Sequence, residues 1–368
     1  MVAPGSIFEE LGLNYIGPID GHNINELISV IGNLKDFDGP QFLHVITKKG
    51  AGLDPAEADR IGFHAIGKIK PLDATKKKNG PKYQDVFGQW IVDMAKQDED
   101  LIAITPAMRE GSGLVNFSRE FPERFFDVAI AEQHAVTLAA GMACEDKKPV
   151  VAIYSTFLQR AYDQLIHDVA LQNLNVLFAI DRAGLVGEDG PTHSGNYDLT
   201  YLRCIPNMMI AVPADENETR KLLTTTFMHH GPAAIRYPRG GGINAAIDLD
   251  LKPLEVGKGR IISKQESEIL VLNFGALIAT SQEVAQELDA TLLDMRFVKP
   301  LDEDLMMEHS QDKTIIITIE DGAVSGGAGS AVSEWAQENK IKSQIVICGI
   351  PDKFIEHASR EEMLEMTG

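Results

Sequence analysis

The sequence has no long hydrophobic run, although 44% of its 368 residues are hydrophobic. No apolar run approaches the roughly 18 residues that a membrane span requires. The amino-terminal segment MVAPGSIFEE has neither the basic residues nor the apolar stretch of a signal peptide. These absences predict a globular protein of two or three domains that works in the cytoplasm and has no membrane partner.

Basic residues are also in short supply. The chain has 34 Lys and Arg residues against 54 Asp and Glu residues, for a formal net charge of -20. Such a chain repels polyanions, so nucleic acid and anionic membrane surfaces are excluded as expected partners. Any anionic substrate must be held by a local group of basic residues.

Cysteines and metal-binding spacings are scarce as well. Cys144, Cys204 and Cys348 lie in apolar surroundings without a CxxC spacing, which predicts buried, reduced thiols. The ten histidines form no HExxH or comparable pattern. We therefore predict that no metal ion is bound by motifs of this chain.

Strand and helix patterns alternate regularly after residue 82. From YQDVFGQWIVDMAK to AAIRYP, short apolar strands are separated by amphipathic helices, which predicts a parallel sheet covered on both faces. After a polar connection at 243–262 the alternation restarts with EILVLNFG and predicts a second, smaller α/β domain. The predicted divisions are residues 1–75, 76–245 and 246–368, with a polar linker near 73–82.

A carboxylate interrupts one of these apolar patterns. RFFDVAI predicts a strand and AVTLAAGMA a helix, so Glu132 is expected in the turn between them. An acidic residue there can cap the helix and complement its dipole. It can also serve a ligand, because ligands bind at the carboxyl ends of strands in parallel sheets.

Several other strands end in chemically reactive residues, and in a parallel sheet these ends share one edge. Taken singly, each has a structural explanation: the aromatics can be core residues, Arg160 a solvated charge, and Arg182 a partner of Asp181. The Gly-rich run SGGAGS at 325–330 lacks the P-loop lysine, which favours a tight strand-to-helix turn over a phosphate cradle. The strand-end candidates are Glu132, Tyr154, Phe157, Arg160, Asp181, Arg182, Asp189, His193, Arg236 and Arg239.

Blocks along nearly the whole chain resemble one enzyme family. NYIGPIDGHNINEL, PAMREGSGL, FDVAIAEQHAV, AIYSTFLQRAYDQ, FAIDRAGLVGEDGPTH, YLRCIP, RYPRG, DMRFVKPLD and GGAGS together resemble 1-deoxy-D-xylulose-5-phosphate synthases of the transketolase superfamily. The resemblance implies a transketolase-like α/β fold and a homodimer. It also implies thiamine diphosphate and Mg²⁺ as cofactors. The implied reaction joins pyruvate to D-glyceraldehyde 3-phosphate, releases CO2 and opens non-mevalonate isoprenoid synthesis.

The same resemblance implies roles for individual residues. Glu132 corresponds to a glutamate that hydrogen-bonds the cofactor's aminopyrimidine and favours its imino tautomer. Phe157 corresponds to the aromatic that stacks on that ring, and His193 to a proton-handling residue. The implied substrate pocket contains arginines that face the triose phosphate, and arginine pairs well with phosphate oxygens. That pocket consists of Tyr154, Arg160, Arg182, Asp189 and Arg239.

The chain departs from the family pattern in some places. The GDG motif, which with a later asparagine holds the cofactor diphosphate through magnesium in the superfamily, does not occur, and Leu53 stands where the family often has a tyrosine beside the cofactor. Residues 1–75 are interpreted as the tail of a first domain, with Met1 not the native initiator, and the carboxyl end as stopping before a final helix. The amino-terminal part of the same protein is thus an expected partner, and the chain alone is expected to be inactive.

Two alternatives remain at this stage. The beta subunit of a 2-oxo acid dehydrogenase decarboxylase component takes its diphosphate-binding half from another chain, which would explain the absence of GDG. A non-catalytic relative would keep the fold and lose the cofactor, although the joint presence of Glu132, Phe157 and His193 argues against such decay.

Overall fold

The computed structural model describes residues 5–60, 62–63 and 80–368. The chain divides into two compact units, Met1–Lys77 and Lys78–Gly368. The predicted boundary at residues 75–76, and residues 73–79 of the predicted linker, lie outside the described residues. The three-part division of the chain therefore stays a prediction.

The first unit contains a small parallel pair of strands. β1 and β2 pair in a register that places Asn14 opposite Gln41, and the strand predicted in QFLHVITKKG is confirmed as β2. The second helix begins where the Asn23 side chain accepts the Glu26 N–H at 3.2 Å, an N-cap that satisfies an otherwise unpaired donor. The elements are α1 (Ser6–Glu10), β1 (Asn14–Asp20), α2 (Ile24–Leu34), β2 (Gln41–Ile46) and α3 (Asp54–Ala58).

The second unit contains twelve strands within its described residues. They are β3 (Leu101–Thr105), β4 (Phe125–Asp127), β5 (Lys148–Tyr154), β6 (Leu177–Asp181), β7 (Met209–Ala211), β8 (Ala233–Arg236), β9 (Arg260–Ser263), β10 (Ile269–Phe274), β11 (Thr291–Asp294), β12 (Phe297–Lys299), β13 (Ile315–Ala323) and β14 (Gln344–Ile350).

The helices of the second unit alternate with these strands. They are α4 (Tyr83–Gln97), α5 (Val115–Glu120), α6 (Glu132–Cys144), α7 (Ser155–Leu158), α8 (Tyr162–Gln164), α9 (Asp198–Arg203), α10 (Glu216–Phe227), α11 (Ile278–Glu287), α12 (Glu303–Ser310), α13 (Ala328–Glu338) and α14 (Arg360–Glu365). Short 3₁₀ turns cover Pro122–Arg124, Gln159–Ala161 and Gly187–Asp189, and a π-helical segment covers Leu165–Ala170. The segment LQRAYDQLIHDVALQ, whose pattern predicts one amphipathic helix, is therefore a series of short turns of different pitch.

The strands form two sheets that confirm the predicted α/β class. A seven-stranded sheet has the order β12-β7-β8-β6-β5-β3-β4, and a five-stranded sheet has the order β14-β13-β10-β11-β9. All pairings are parallel except β12 with β7 and β9 with β11. Although β12 falls in the predicted carboxyl-terminal domain, it completes the edge of the first sheet. Arg296, at φ 59°, turns the chain just before β12, and its carbonyl accepts the Val212 N–H at 2.7 Å.

The helices cover both faces of the larger sheet, as predicted. α4 and α10 pack on one face, where the fully buried Trp90 donates its indole N–H to the Thr224 hydroxyl at 3.0 Å. α6 packs on the other face through Ala135, Val136 and Ala139. Because both faces are covered, the loops at the strand ends are the part of the sheet left to carry polar groups.

The prediction of buried thiols is wrong. All three cysteines are free and exposed. Cys144 ends α6 on its outer face, and Cys348 lies on β14, an edge strand whose burial alternates. Apolar neighbours in sequence do not bury a side chain that points away from the core. Among the described residues, no helix combines the length and apolarity that crossing a membrane requires.

Candidate active site

The parallel register brings the reactive residues to one edge. β5 ends at Tyr154, which lies opposite Asp181 at the end of β6, and Ile180 of β6 lies opposite Arg236 at the end of β8. β3 and β4 end beside β5 in the same direction. The strand order therefore places the residues that follow β4, β5, β6 and β8 around a single crevice.

Glu132 is the first residue of α6, because the helix begins three residues before the predicted segment AVTLAAGMA. The β4 strand ends at Asp127, whose carboxylate accepts the N–H groups of Ala107 and Ala129 at 3.0 Å each. These bonds hold the turn, and Ala131 becomes the N-cap without a side-chain bond. The helix capping considered for Glu132 is thus not made through its side chain, although a carboxylate in the first turn still complements the helix dipole.

The Glu132 side chain is almost completely buried, with 4% of its surface exposed, and it has one charged partner. Its Oε1 accepts a hydrogen bond from Arg160 Nη1 at 2.9 Å. Its Oε2 accepts no hydrogen bond from the residues that the structure describes. A buried carboxylate is costly unless it is paired. The bond from Arg160 offsets part of this cost at Oε1 and leaves Oε2 free to bond another group.

Phe157 links the residues after β5 to the loop that carries His193. Its ring stacks on Tyr154 with centroids 5.8 Å apart and meets the His193 ring edge-on at 5.4 Å. The Arg160 guanidinium lies 5.4 Å from its centroid, within the range of a cation–π contact. His193 Nδ1 is 3.0 Å from the Thr192 hydroxyl, which orients the imidazole. The structure thus brings five predicted site residues, Glu132, Arg160, Phe157, Tyr154 and His193, into one connected cluster.

Arg182 extends the cluster, and its guanidinium already has several partners within the protein. Its guanidinium lies 4.1 Å from the Tyr154 ring centroid, and its Nη1 donates to the Gly111 carbonyl at 2.8 Å and to Gln84 Oε1 at 3.2 Å. It also pairs with Asp181, as the structural explanation of this arginine predicts. Burial raises the pKa of Asp181 to about 6, and the Arg182 charge limits the rise.

Asp189 and Arg239 form a more open pair at the rim. Arg239 Nη1 lies 2.9 Å from Asp189 Oδ2 and 2.8 Å from the Val186 carbonyl, and 38% of the arginine side chain is exposed. Both charges act on Tyr154, whose pKa rises to about 12 chiefly because its hydroxyl is buried. Tyr154 is therefore a neutral hydrogen-bonding group at physiological pH.

Arg236 belongs to the structure's interior and not to the crevice. It is 3% exposed, its Nε donates to Asp198 Oδ2 at 2.9 Å, and its Nη1 pairs with Asp321. Asp321 lies on β13 of the smaller sheet, whereas Arg236 ends β8 of the larger one. This ion triad fastens the two sheets to each other.

Two further residues of the cluster, Gly111 and Gln84, were not predicted from the sequence. A Cβ placed on Gly111 would lie 1.9 Å from the Tyr154 hydroxyl, so only glycine allows this approach. Gln84, on α4, meets Arg182 from the amino-terminal helix of the second unit. The segment PAMREGSGL directly follows β3, and this position at the carboxyl edge of the sheet could have indicated Gly111 as a site residue. No feature of the sequence around Gln84 indicates a role in the site.

Leu53 lies in the first unit, where it is the N-cap of α3 and 45% exposed. Its predicted contact with a cofactor stays a prediction. The structure confirms SGGAGS as a strand-to-helix turn between β13 and α13. There the Glu320 carboxylate accepts the N–H groups of Ala328 and Gly329 at 2.8 Å each, so these donors are already occupied. In the part of the chain that is described, no group of three or more His, Cys, Asp or Glu side chains is placed to hold a metal ion.

Three family models match the chain. Residues 79–242 match the transketolase pyrimidine binding domain, and residues 257–368 match the transketolase C-terminal domain. Residues 1–47 match a model described as 1-deoxy-D-xylulose-5-phosphate synthase. The crevice described above lies within the first of these matches.

Curated relatives match at high identity. The 1-deoxy-D-xylulose-5-phosphate synthase of Pseudomonas syringae pv. syringae is 61% identical over 371 residues and that of Pseudomonas fluorescens Pf0-1 is 61% identical over 373 residues. Each alignment covers 100% of this chain and 59% of the relative. The chain therefore spans about three fifths of the length of these relatives.

Solved structures share the fold. A split-gene transketolase, described as an inactive β4 tetramer, has a TM-score of 0.70 and 28% identity over 79% of this chain and 94% of its own. Transketolase from Campylobacter jejuni has a TM-score of 0.64 at 17% identity, covering 99% of this chain and 67% of its own. The second likeness shows the fold alone. From the identity to the synthases along its whole length and from its transketolase-like sheets, the chain belongs to the 1-deoxy-D-xylulose-5-phosphate synthase family.

Proposed function

We propose that the protein containing this chain condenses pyruvate with D-glyceraldehyde 3-phosphate to form 1-deoxy-D-xylulose 5-phosphate. The bond between C1 and C2 of pyruvate breaks, C2 bonds to the aldehyde carbon, CO2 leaves and one proton is taken up. The observation that carries the proposal is the buried Glu132 carboxylate, set beside Phe157 and His193 at the carboxyl edge of a transketolase-like sheet. The 61% identity to synthases of this name supports it.

The residues present suit the pyrimidine end of thiamine diphosphate. Glu132 Oε2 has no partner among the described residues, so this buried carboxyl can bond a ring nitrogen, and the Phe157 ring offers an aromatic surface beside it. Thiamine diphosphate supplies the carbanion chemistry when bound. We assign the Mg²⁺ that accompanies the diphosphate to oxygen ligands in the amino-terminal part of the full-length protein.

The chain's own residues would then orient the substrates and move protons. Glu132 holds a proton at Oε2 toward the cofactor ring, and a carboxyl in this buried position is protected from competition by water. His193, which meets the Phe157 ring edge-on, exchanges a proton with substrate oxygen. Tyr154, neutral because its pKa is about 12, donates its hydroxyl hydrogen.

Arg239 is better placed than Arg182 to bind the phosphate of D-glyceraldehyde 3-phosphate. Its side chain is 38% exposed, whereas that of Arg182 is 11% exposed and already bonds Asp181, Gly111 and Gln84. A phosphate approaching Arg239 must compete with the Val186 carbonyl and with Asp189 and Glu188, whose side chains are themselves at the surface. Arg182 is better suited to hold Tyr154 and to add a longer-range positive potential.

We also propose that the full-length protein is a homodimer that uses the surface around Glu132. Ile130 and Leu171 are each 75% exposed, and Ile166 is 39% exposed. Ile130 lies in the turn before Glu132, and the other two belong to the π-helical segment and its end, which pack on α6. Exposed apolar residues grouped on one side of a site are typical of a subunit interface.

The function is tested by incubating the full-length protein with pyruvate, D-glyceraldehyde 3-phosphate, thiamine diphosphate and Mg²⁺. We expect equal amounts of CO2 and 1-deoxy-D-xylulose 5-phosphate by NMR, and no product from the 368-residue chain alone. Absence of product from the full-length protein, with acyl transfer to a lipoyl acceptor instead, would favour a 2-oxo acid dehydrogenase component.

Replacing Arg239 with alanine in the full-length protein should raise the KM for D-glyceraldehyde 3-phosphate by roughly one to two orders of magnitude. Charge-assisted hydrogen bonds contribute about 1.5 to 3 kcal/mol, which corresponds to that change. The KM for pyruvate should change far less, and turnover with unphosphorylated D-glyceraldehyde should be nearly unaffected. Arg119→Ala, at an exposed arginine of α5, is the matched control. Equal losses with both aldehydes would show that Arg239 has a structural role.

A further inference from the structure

A buried serine lies where α7 meets the loop that carries His193. Ser155 is the first residue of α7, it follows Tyr154 directly, and its exposure is 1%. A Cβ placed on Gly195, two residues after His193, would lie 2.5 Å from the Ser155 Cβ. Because Cβ atoms do not approach one another so closely, the loop backbone at Gly195 is packed directly against Ser155.

The Ser155 hydroxyl has a charged acceptor. Its Oγ donates to Asp198 Oδ2 at 3.0 Å, and Asp198 is the fully buried first residue of α9. The same Oδ2 accepts a hydrogen bond from Arg236 Nε at 2.9 Å, and Oδ1 accepts one from the Leu199 N–H at 2.8 Å. A carboxylate with three donors, one of them charged, has little freedom to rotate. Asp198 is therefore a fixed acceptor for the Ser155 hydroxyl.

The position of Asp198 depends in turn on the smaller sheet. Arg236 pairs with Asp321 on β13, and its Nη2 donates to the Gly195 carbonyl at 3.4 Å. The side chains of this series, Ser155, Asp198, Arg236 and Asp321, belong to residues that are at most 3% exposed. Hydrogen bonds thus connect β13 to the start of α7 through side chains that are buried too deeply to touch a substrate.

Thr156 provides a second attachment of α7 to the same loop. Its hydroxyl donates to the Thr192 carbonyl at 3.1 Å. His193 lies between this attachment and the packing contact at Gly195. Phe157 follows Thr156 on α7, and its ring meets the His193 ring edge-on with centroids 5.4 Å apart. The position of α7 on the loop therefore decides how far apart these two rings lie.

We propose that Ser155 is a positioning residue, whose hydroxyl fixes the distance between the Phe157 ring and the His193 ring. This role rests on the proposed synthase function and adds to it a residue that acts through others. Without the hydrogen bond to Asp198 the start of α7 can shift, and Phe157 moves with it. A displacement of about 1 Å in a site that must align reacting groups can cost about 10²-fold in rate.

Steady-state kinetics of Ser155→Ala in the full-length protein tests this role. We expect kcat to fall by about 10- to 100-fold, while the KM for D-glyceraldehyde 3-phosphate stays nearly unchanged because Arg239 is not displaced. Ser281→Ala is the matched control, since Ser281 is also buried, on α11, and its hydroxyl donates to Asn273 Oδ1 at 2.8 Å. It should keep the wild-type kcat. A wild-type kcat in Ser155→Ala, or an equal fall in both variants, would overturn the proposal.

Crystal structures of the same two variants measure the geometry directly. The separation of the Phe157 and His193 ring centroids, which is 5.4 Å in the native protein, should change by about 1 Å in Ser155→Ala and stay the same in Ser281→Ala. An unchanged separation in Ser155→Ala would overturn the proposal. This measurement needs no cofactor or turnover. It therefore distinguishes a failure of the positioning role from a failure of the proposed synthase function, which would appear as the absence of product from the wild-type protein.

A second variant serves if Ser155→Ala does not fold. Ser155→Cys keeps a side chain of similar shape but has only a weak S–H donor. It should show a lowered kcat and a changed separation of the Phe157 and His193 rings. A wild-type value of either quantity in Ser155→Cys would then overturn the proposal.

Discussion

Glu132→Gln in the full-length protein is expected to lower turnover by about 10² to 10⁴-fold, the usual contribution of a positioned general acid or base. Glutamine keeps an oxygen that can accept the Arg160 hydrogen bond, which is 2.9 Å long in the native chain. It cannot supply a carboxyl proton at the second position. The loss should therefore appear in kcat and not in the fold, as checked by steady-state kinetics and circular dichroism.

A neighbouring glutamate provides the control for this variant. Glu145 is the C-cap residue of α6 and is exposed, so Glu145→Gln changes the same functional group at the other end of that helix, away from the crevice. It should retain wild-type turnover. Hydrogen exchange at the reactive carbon of bound thiamine diphosphate should be slow in Glu132→Gln and normal in Glu145→Gln. A wild-type exchange rate in Glu132→Gln would remove Glu132 from the proposed role.

Arg236→Ala is expected to lower the free energy of unfolding of the second unit by about 3 to 5 kcal/mol. The variant leaves the carboxylates of Asp198 and Asp321 buried without their cation, at 0% and 3% exposure. It also removes the ion triad that joins β8 of the larger sheet to β13 of the smaller one. Urea denaturation followed by tryptophan fluorescence measures the loss, since Trp90 and Trp335 are both buried in the core of the second unit.

Arg239→Ala is the contrasting variant for stability. Its ion pairs with Glu188 and Asp189 are largely exposed, and such pairs contribute about 0 to 1 kcal/mol. The two arginines lie only three residues apart, so their difference isolates the effect of burial. A loss below 1 kcal/mol for Arg236→Ala would show that the two acids are neutral or solvated in the folded protein.

The alternation of strands and helices was accessible from the sequence. Alternation of apolar strands with amphipathic helices depends on which faces are buried, and this predicted the α/β class and the helices on both faces of the larger sheet. Because parallel strands end on a common edge, the convergence of Tyr154, Asp181 and Glu132 on one crevice also followed from the chain order. The carboxylate in AIAEQH stood out because a charge in an apolar pattern requires a partner or a function.

The roles of the arginines could not be separated by sequence. Arg182, Arg236 and Arg239 all follow strands, and only the fold shows that the first contacts Tyr154, the second lies buried between two acids, and the third stays at the rim. The partners of each guanidinium come from distant segments, such as Gln84, Gly111 and Asp321. The residues next to each arginine in the sequence do not indicate these distant partners.

The sequence by itself determined the α/β class, most of the strands that form the two sheets, and the edge where reactive residues gather, because burial of alternating apolar faces is a local periodic property. Tertiary structure alone decided that β12 crosses to the larger sheet, that the cysteines face outward, and that Arg160 holds Glu132. These features depend on which surfaces meet across long separations in the chain, and that is set by packing and by the pairing of buried charges.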